Sequence, residues 1–441
     1  MTVATAPDPG AGRVVPLAGG VTAGAGVPDA WRTEERRELA ALCGLAAMTP
    51  RRLWSLCGPD GPRAAWRALA RGDVRAAALA AGGARRSGAT TARLERLVAR
   101  WHEAAAATRP EDLVEGWARQ GIEVLVAGDD AFPAPLARRP GAPVVLWCAG
   151  ARPAGAAGAD APSSAWPGGG APCVALTGTR SSTAYGERVA SCLAEGLAAA
   201  GVEVVTTLEA GIDAAVRAGA LRGGGPLSAL AAAGVDQRQP PGAWQAVVEG
   251  GGRVLSDARV GARPERWRFP HRNGMLGRSA DALVVVEAHT TGGAMHAVEA
   301  ALEVGVAVGA VPGSVHSPSS RGSNALLLDG AHVVRQVEDV LAVLAVSGAP
   351  AVRVGGGARP VGVVDDRRPA PDGVDGAVLA ALDEELTVHL DRVLAVSGLS
   401  LPIVAAALER LVDGGHARRA VGGYLRAPER GHVRCADRLQ P

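Results

Sequence analysis

Lysine is absent. All 46 cationic side chains in the 441 residues are arginine, set against 44 Asp and Glu. A chain without lysine has no phosphate loop of the GxxxxGK[ST] type, no kinase-type strand lysine and no Schiff-base lysine. Only 6 Cys are present, scattered and without a CxxC pair, so neither a zinc site nor a disulfide framework is expected. Nothing in the pattern calls for a metal or another cofactor. The N-terminus lacks the charged and apolar regions of a signal peptide, and no apolar run approaches the length of a membrane span. A soluble, reduced, cytoplasmic protein with no membrane partner is expected. Asparagine occurs only at Asn273 and Asn324, phenylalanine at Phe132 and Phe269, tyrosine at Tyr185 and Tyr424, and isoleucine at Ile122, Ile212 and Ile403. This scarcity, beside 60 Gly and 30 Pro, reads as a coding bias. Where the disfavoured residues survive, the position is expected to have special demands.

What is present suffices for real cores. Hydrophobic residues make up 48% of the chain, and the length suits two to four domains at roughly 100–200 residues each. The net charge of +2 excludes a histone-like polycation, although the first 110 residues are clearly basic. Gly, Ala and Pro without helix or strand period mark three low-complexity stretches. The reading is a disordered tail over 1–29, a flexible insertion at 150–171, a linker at 346–373 and a further tail at 427–441.

Between them lie structured blocks. Residues 30–110 read as a small helical domain, SAM-like or helix–hairpin–helix-like. Thr49-Pro50 forms an N-cap with proline at the first helical position. The turn CGLAAMTPRRL lacks the second glycine of a phosphate-binding hairpin, so a packing helix pair is favoured. Residues 111–345 hold short, fully apolar runs (CVALT, VEVVT, PLSALA, RVLS, ALVVVEA, VAVGAVPG, HVV), most of them separated by helix-length amphipathic segments. That alternation predicts an α/β fold, a Rossmann-like doubly wound, mostly parallel sheet covered on both faces. Its ligand is expected at the carboxyl ends of the strands. Residues 374–426 read helix, helix, turn, helix, ribbon, with Gly422-Gly423 as the ribbon turn, which is winged-helix grammar.

Four segments could carry chemistry. Gly178-Thr179-Arg180-Ser181 opens a helix after the first strand of the parallel block, where small residues, hydroxyls and a helix N-terminus favour an anion and Arg180 adds a fork suited to phosphate. It is not the GxGxxG fingerprint, which disfavours NAD or FAD. Gly211-Ile212-Asp213 forms the next strand-to-helix turn, with Asp213 placed as a capping carboxylate for loop amides. A basic loop follows, in which Arg259, Arg263, Arg266, Arg268, His271 and Arg272 interleave with Trp267 and Phe269 and end on Asn273. Phosphate neutralisation beside stacking surfaces is the mixture that single-stranded nucleic acid sites use; the bland alternative is a solvated loop with an aromatic tucked into a core. Last comes Gly313-Ser314 through Arg321-Gly322-Ser323-Asn324, rich in possible donors to phosphate or sugar oxygens. There is no GxSxG elbow, no HExxH and no acidic metal cluster. Anion donors are many and a nucleophile–base pair is missing, so a binder rather than an enzyme is expected.

These motifs, in this order, resemble the DNA-processing protein A (DprA/Smf) family over essentially the whole structured length. The family pattern of a G-[ST]-R loop, a GID turn, an FPxRN segment, then PG, GxNxL and GA appears here as Gly178-Thr179-Arg180, Gly211-Ile212-Asp213, Phe269-Pro270-His271-Arg272-Asn273, Pro312-Gly313, Gly322-Ser323-Asn324-Ala325-Leu326 and Gly330-Ala331. The resemblance implies a protein that binds and shields single-stranded DNA and helps load the RecA recombinase, chiefly in natural transformation, and that forms a homodimer through the Rossmann-like domain. It also implies that Arg180, Arg272 and Asn273 contact phosphates or bases, while Gly178, Gly211 and Gly313 allow backbone approach. The chain departs from the pattern at Thr206-Thr207-Leu208-Glu209, where SGLA is usual. Arg217 stands for a histidine, Gly274 and Val306 for arginines, and Thr291-Gly292-Gly293 for the usual helix start. Gaining Glu209 and losing an arginine are each expected to weaken an anion site, by about 1–3 kcal/mol where the group is partly desolvated.

Two other functions stay open at this stage. A Rossmann-like nucleoside-monophosphate phosphoribohydrolase would need PGGxGT and a catalytic acid. Here Pro312-Gly313-Ser314 lacks the second glycine, and Glu287 has only its strand-end position to recommend it. A winged-helix regulator would read duplex DNA through LPIVAAALERLVDGG, which offers only Glu409 and Arg410 to base edges.

Overall fold

The computed structural model describes residues 27–74, 88–150, 171–350, 371–383, 387–414, 416–420 and 422–426. Most of the expected tail at 1–29, nearly all of the insertion at 150–171, the middle of the linker at 346–373 and the tail at 427–441 lie outside the described residues. The chain divides into two compact units. One comprises residues 1–149 with 233–237 and 256–263, and the other comprises the remainder.

The first unit is helical apart from one strand pair. Its helices are α1 (Asp29–Thr33), α2 (Arg36–Cys43), α3 (Pro50–Cys57), α4 (Gly61–Arg71), α5 (Gly88–Ala107), α6 (Pro110–Arg119) and α7 (Ala134–Ala137). The Thr49 hydroxyl accepts the Arg52 amide, so the N-cap read from Thr49-Pro50 is made. Leu39, Leu42, Leu53, Leu69 and Trp101 are buried and form the apolar faces of these helices. Strands β1 (Ile122–Val126) and β2 (Val145–Gly150) pair antiparallel. Arg36 ties α2 to the β1 end by hydrogen bonds to both oxygens of Asp129 and to the Val124 carbonyl.

The second unit alternates strand and helix as the apolar runs predict. The strands are β3 (Cys173–Thr177), β4 (Glu203–Thr207), β5 (Leu227–Leu230), β6 (Arg253–Ser256), β7 (Ala282–Val285), β8 (Ala307–Ala310) and β9 (His332–Val333). The helices are α8 (Ala184–Ala199), α9 (Ile212–Gly223), α10 (Pro241–Glu249), α11 (Arg268–Arg278), α12 (Gly293–Glu303), α13 (Arg321–Leu328) and α14 (Val337–Val346). The seven strands run in the order β6-β5-β4-β3-β7-β8-β9, and all six neighbouring pairs are parallel. All residues of β3, β4 and β7 are buried, as two-sided helix cover requires. The chain moves outward from β3 through β4, β5 and β6, then returns to lay β7 on the other side of β3. Loops leaving β3 and β7 therefore diverge at a topological switch point, where a parallel sheet opens a crevice.

A smaller C-terminal body has its own apolar core of Val378, Leu379, Val388, Val393, Val404, Leu408 and Leu411. It contains α15 (Gly373–Ala380), α16 (Leu390–Ser397), α17 (Leu401–Asp413) and the hairpin of β10 (Ala417–Ala420) with β11 (Gly423–Arg426). Ala420 pairs with Gly423, so Gly423 belongs to the strand and not to the turn that the glycine pair suggests. Gly422 supplies the positive φ of 84° that such a turn needs, and Gly423 takes the first place in the strand. Among the described residues no single helix is long and apolar enough to cross a membrane.

Candidate nucleic-acid interface

The loops leaving β3 and β7 are stitched together by a buried acid. Glu287, two residues past β7, is 1% exposed. Its carboxylate accepts the Thr183 amide at 2.9 Å and the Thr183 hydroxyl at 2.6 Å, while its carbonyl accepts the Thr179 amide at 2.7 Å. Thr183 in turn caps α8 by accepting the Gly186 amide. A Cβ at Gly178 would lie 2.5 Å from the Glu287 carbonyl oxygen. This glycine admits the protein's own backbone at close range.

Gly211 does similar work one strand along. Its φ of +75° favours glycine, and a Cβ there would meet the Thr179 carbonyl at 2.4 Å. The Ile212 amide donates to that same carbonyl, so the turns after β3 and β4 interlock. Asp213 is buried, but it does not cap loop amides as expected. It accepts hydroxyl hydrogen bonds from Thr177 at 2.9 Å and from Thr207, which ties the ends of β3 and β4 together. Burial pushes its carboxyl above the ordinary value, against the pull of the two hydroxyls and of Arg272 and Arg217.

The expected basic loop is partly helix. Residues 268–278 form α11, so Arg268, Arg272 and Asn273 project from helical turns, and Pro270 sits in the first turn where a missing amide is tolerated. Arg259 and Arg263 belong to the other compact unit. Arg272 is 2% exposed and donates to the Leu230 carbonyl at 3.2 Å and to Glu209 Oε1 at 3.0 Å. Arg180, by contrast, is largely exposed and reaches the other oxygen of the same carboxylate, Oε2, at 2.9 Å. The two guanidiniums also face one ring, with the Phe269 centroid 5.8 Å from Arg180 Cζ and 6.0 Å from Arg272 Cζ. Burial lowers the Arg272 and Arg217 guanidiniums below their ordinary values, opposed by Glu209 and Asp213. Arg217 is spent on the main chain, donating to the carbonyls of Thr207 and Glu209. The cluster holds three guanidiniums (Arg180, Arg217, Arg272) against two carboxyl groups (Glu209, Asp213).

Beside this ladder stands an exposed aromatic surface. Trp267 is 55% exposed, Arg268 Cζ lies 4.4 Å from its ring, and the His271 ring lies 6.1 Å away. Asn273 is half-buried against α12, where a Cβ on Gly293 would come within 2.7 Å of its Nδ2.

The loop after β8 has a different occupation from the one expected. Asn324 holds Gly313 at both ends, accepting its amide at 3.0 Å and donating to its carbonyl at 3.1 Å. Through these two bonds its amide group shapes the loop. Gly322 is buried against the Ala288 and His289 main chain, and Ser320 fills the space beside Gly313. Ser314 is exposed, and its hydroxyl accepts the His316 amide. Ser319 donates to the Ser181 carbonyl and Tyr185 to the Pro312 carbonyl, so the β3 and β8 loops form one rim. Among the described residues no group of three His, Cys, Asp or Glu could hold a metal ion. Glu287 and Glu209, the two acids that organise this rim, stand out in sequence only as charges directly after apolar strand runs.

This layout of ion-paired arginines on glycine-set loops at the sheet's carboxyl edge can be compared with known proteins. The model of the DNA recombination-mediator protein A family matches residues 123–345, just over half of the chain. The chain belongs to that family. A DNA processing protein DprA of Mycobacterium tuberculosis is 36% identical over 248 residues, covering 53% of this chain and 60% of the relative. The Smf protein of Escherichia coli is 29% identical over 274 residues, covering 59% and 69%. Among solved structures, the DNA processing protein A of Streptococcus pneumoniae is similar at 27% identity and a TM-score of 0.46, over 57% of this chain and 85% of that one. Similarity to this recombination-mediator family thus spans the parallel-sheet domain and every loop described above.

Proposed function

We propose that this protein binds single-stranded DNA along the carboxyl edge of its parallel sheet, without catalysis, as a mediator of homologous recombination in DNA uptake. The observation that carries the reading is the pair of arginines, Arg180 and Arg272, fanned over Phe269 beside the exposed Trp267. Guanidiniums neutralise phosphates while the rings offer faces to unpaired bases, and a duplex hides those faces. Membership of a family described as recombination mediators, with relatives named for DNA processing, supports the same reading. A homodimer through the parallel-sheet domain and delivery of the strand to the RecA recombinase belong to this proposal. So does a winged-helix identity for the C-terminal body, whose three helices and ribbon have that order.

The test is one salt series of binding to single- and double-stranded oligonucleotides, repeated with RecA added. Single-strand affinity should fall steeply with salt, and Arg180→Ala should flatten the slope by about 0.7 for one lost phosphate contact. Unchanged binding in both Arg180→Ala and Arg272→Ala would overturn the assignment. The enzyme alternative is disfavoured because the Glu287 carboxylate is buried and committed to Thr183. Release of free base from a nucleotide, abolished by Glu287→Gln, would restore it. The duplex-regulator alternative is disfavoured because Leu401 and Ile403, apolar and exposed, occupy the start of α17 where base-reading side chains would be needed.

A further inference from the structure

Glu209 does something that neither a fold role nor a DNA role accounts for. It lies two residues past β4, and its main chain is pinned: the amide donates to the Thr207 hydroxyl, and Arg217 holds the carbonyl oxygen at 2.8 Å. Its side chain is secured differently. The two carboxylate oxygens reach outward to one guanidinium each, Arg180 at 2.9 Å and Arg272 at 3.0 Å. Two non-bridging oxygens of a phosphodiester would be gripped in the same way, since both anions offer a pair of oxygens to planar donors. The carboxylate is also reachable, with its side chain 21% exposed and its Arg180 partner 62% exposed. Arg272 has a donor left over, because its buried Nε has no partner. Free inorganic phosphate presents more strong acceptor oxygens than a carboxylate and could also satisfy this donor, which makes it a useful probe of the seat.

We propose that Glu209 is an internal stand-in for the ligand: its carboxylate occupies the phosphate seat between Arg180 and Arg272, and a single-stranded DNA backbone binds there by displacing it. The inference rests on the reading of the site as a single-strand binder and adds the residue that sets its threshold. With the main chain fixed by Arg217 and Thr207, the side chain can swing away without unfolding the turn. The resting protein keeps a buried guanidinium paired, which avoids the cost of an uncompensated charge. Weak or isolated anions fail to expel Glu209, whereas a strand engaging Trp267 and neighbouring arginines at the same time succeeds.

The experiment compares wild type, Glu209→Gln and Glu209→Asp in two assays. The first is binding of an oligo-dT strand across a salt series, and the second is thermal stabilisation by inorganic phosphate. Glu209→Gln keeps an acceptor for Arg272 but removes the competing charge. It should bind oligo-dT about tenfold more tightly, with a salt slope steeper by about 0.7. It should also show saturable stabilisation by phosphate that wild type lacks. Glu209→Asp keeps the charge on a shorter arm that reaches one arginine, so it should gain only about threefold, and it serves as the second test should the glutamine variant fold poorly. Binding no tighter than wild type in both folded variants overturns the inference and leaves the single-strand reading standing. Phosphate stabilisation of Glu209→Gln without oligo-dT binding in any variant supports the seat and sinks the DNA reading.

Discussion

Strand β4 begins on one glutamate and is followed two residues past its end by another, and the two make opposite use of the same chemistry. Glu203, its first residue, pairs with Arg253 at 3.0 Å, and Ser228 bridges the two by accepting from Arg253 Nε and donating to Glu203 Oε1. Those side chains are 7% and 3% exposed. Glu209, roughly 20 Å along at strand spacing, pairs with one buried and one exposed arginine and leaves Arg272 Nε unsatisfied. The first group is buried at the edge of three parallel strands, while the second is open and one donor short. A carboxylate–guanidinium pair is structural or exchangeable according to whether water and other anions can reach it.

The largest effect should come from breaking the closed pair. Arg253→Ala leaves Glu203 buried without its cation and should cost about 3–5 kcal/mol of unfolding free energy in urea titration. It should leave the salt slope of DNA binding untouched. Arg272→Ala is the matched change at the open end. Glu209 keeps Arg180 and some contact with water, so the expected cost is smaller, about 1–3 kcal/mol, and a loss of single-strand affinity should accompany it. Equal costs for the two variants would erase the distinction between closed and open. Arg180→Ala, mostly exposed, should change stability by less than about 1 kcal/mol while still weakening single-strand binding several-fold. A stability loss matching that of Arg272→Ala would mean that Arg180 is part of the frame.

The closed end was hidden from sequence reading in a way the sheet was not. Runs such as CVALT and ALVVVEA announce strands buried on both faces, and their order with intervening helices announces the parallel sheet. Glu203, Ser228 and Arg253 are single polar residues at the starts of three such runs. Nothing local says that they meet, because their contact depends on strand order. The same holds at the rim. Gly178, Arg180 and Gly211 stand out by residue type, but the Glu287–Thr183 tie spans 104 residues of chain and the Asn324–Gly313 clasp depends on how the loop folds back on itself. Gly178 and Gly211 make room for the main chain of a neighbouring loop, which residue type alone does not reveal. Glu209 was visible only as a misplaced anion; its grip on two arginines required the fold.

The smallest expected effect concerns the charge of the open end and appears as a slope with pH. Burial raises the Asp213 carboxyl above its unfolded value of 3.8, despite Thr207, Arg272, Thr177 and Arg217. A folded-state value above the unfolded one means the native protein holds this proton after the unfolded chain has released it. Its contribution to stability is complete below the unfolded value and is lost as pH rises through the folded one. Asp213→Asn removes that loss, since an amide oxygen can still accept from a threonine hydroxyl. The urea midpoint of the variant, taken relative to wild type at each pH, should therefore rise as pH increases from about 3.8 toward neutrality. A relative midpoint that falls over the same interval would show that the ionised carboxylate is favoured in the fold, and would set two anions against the three guanidiniums.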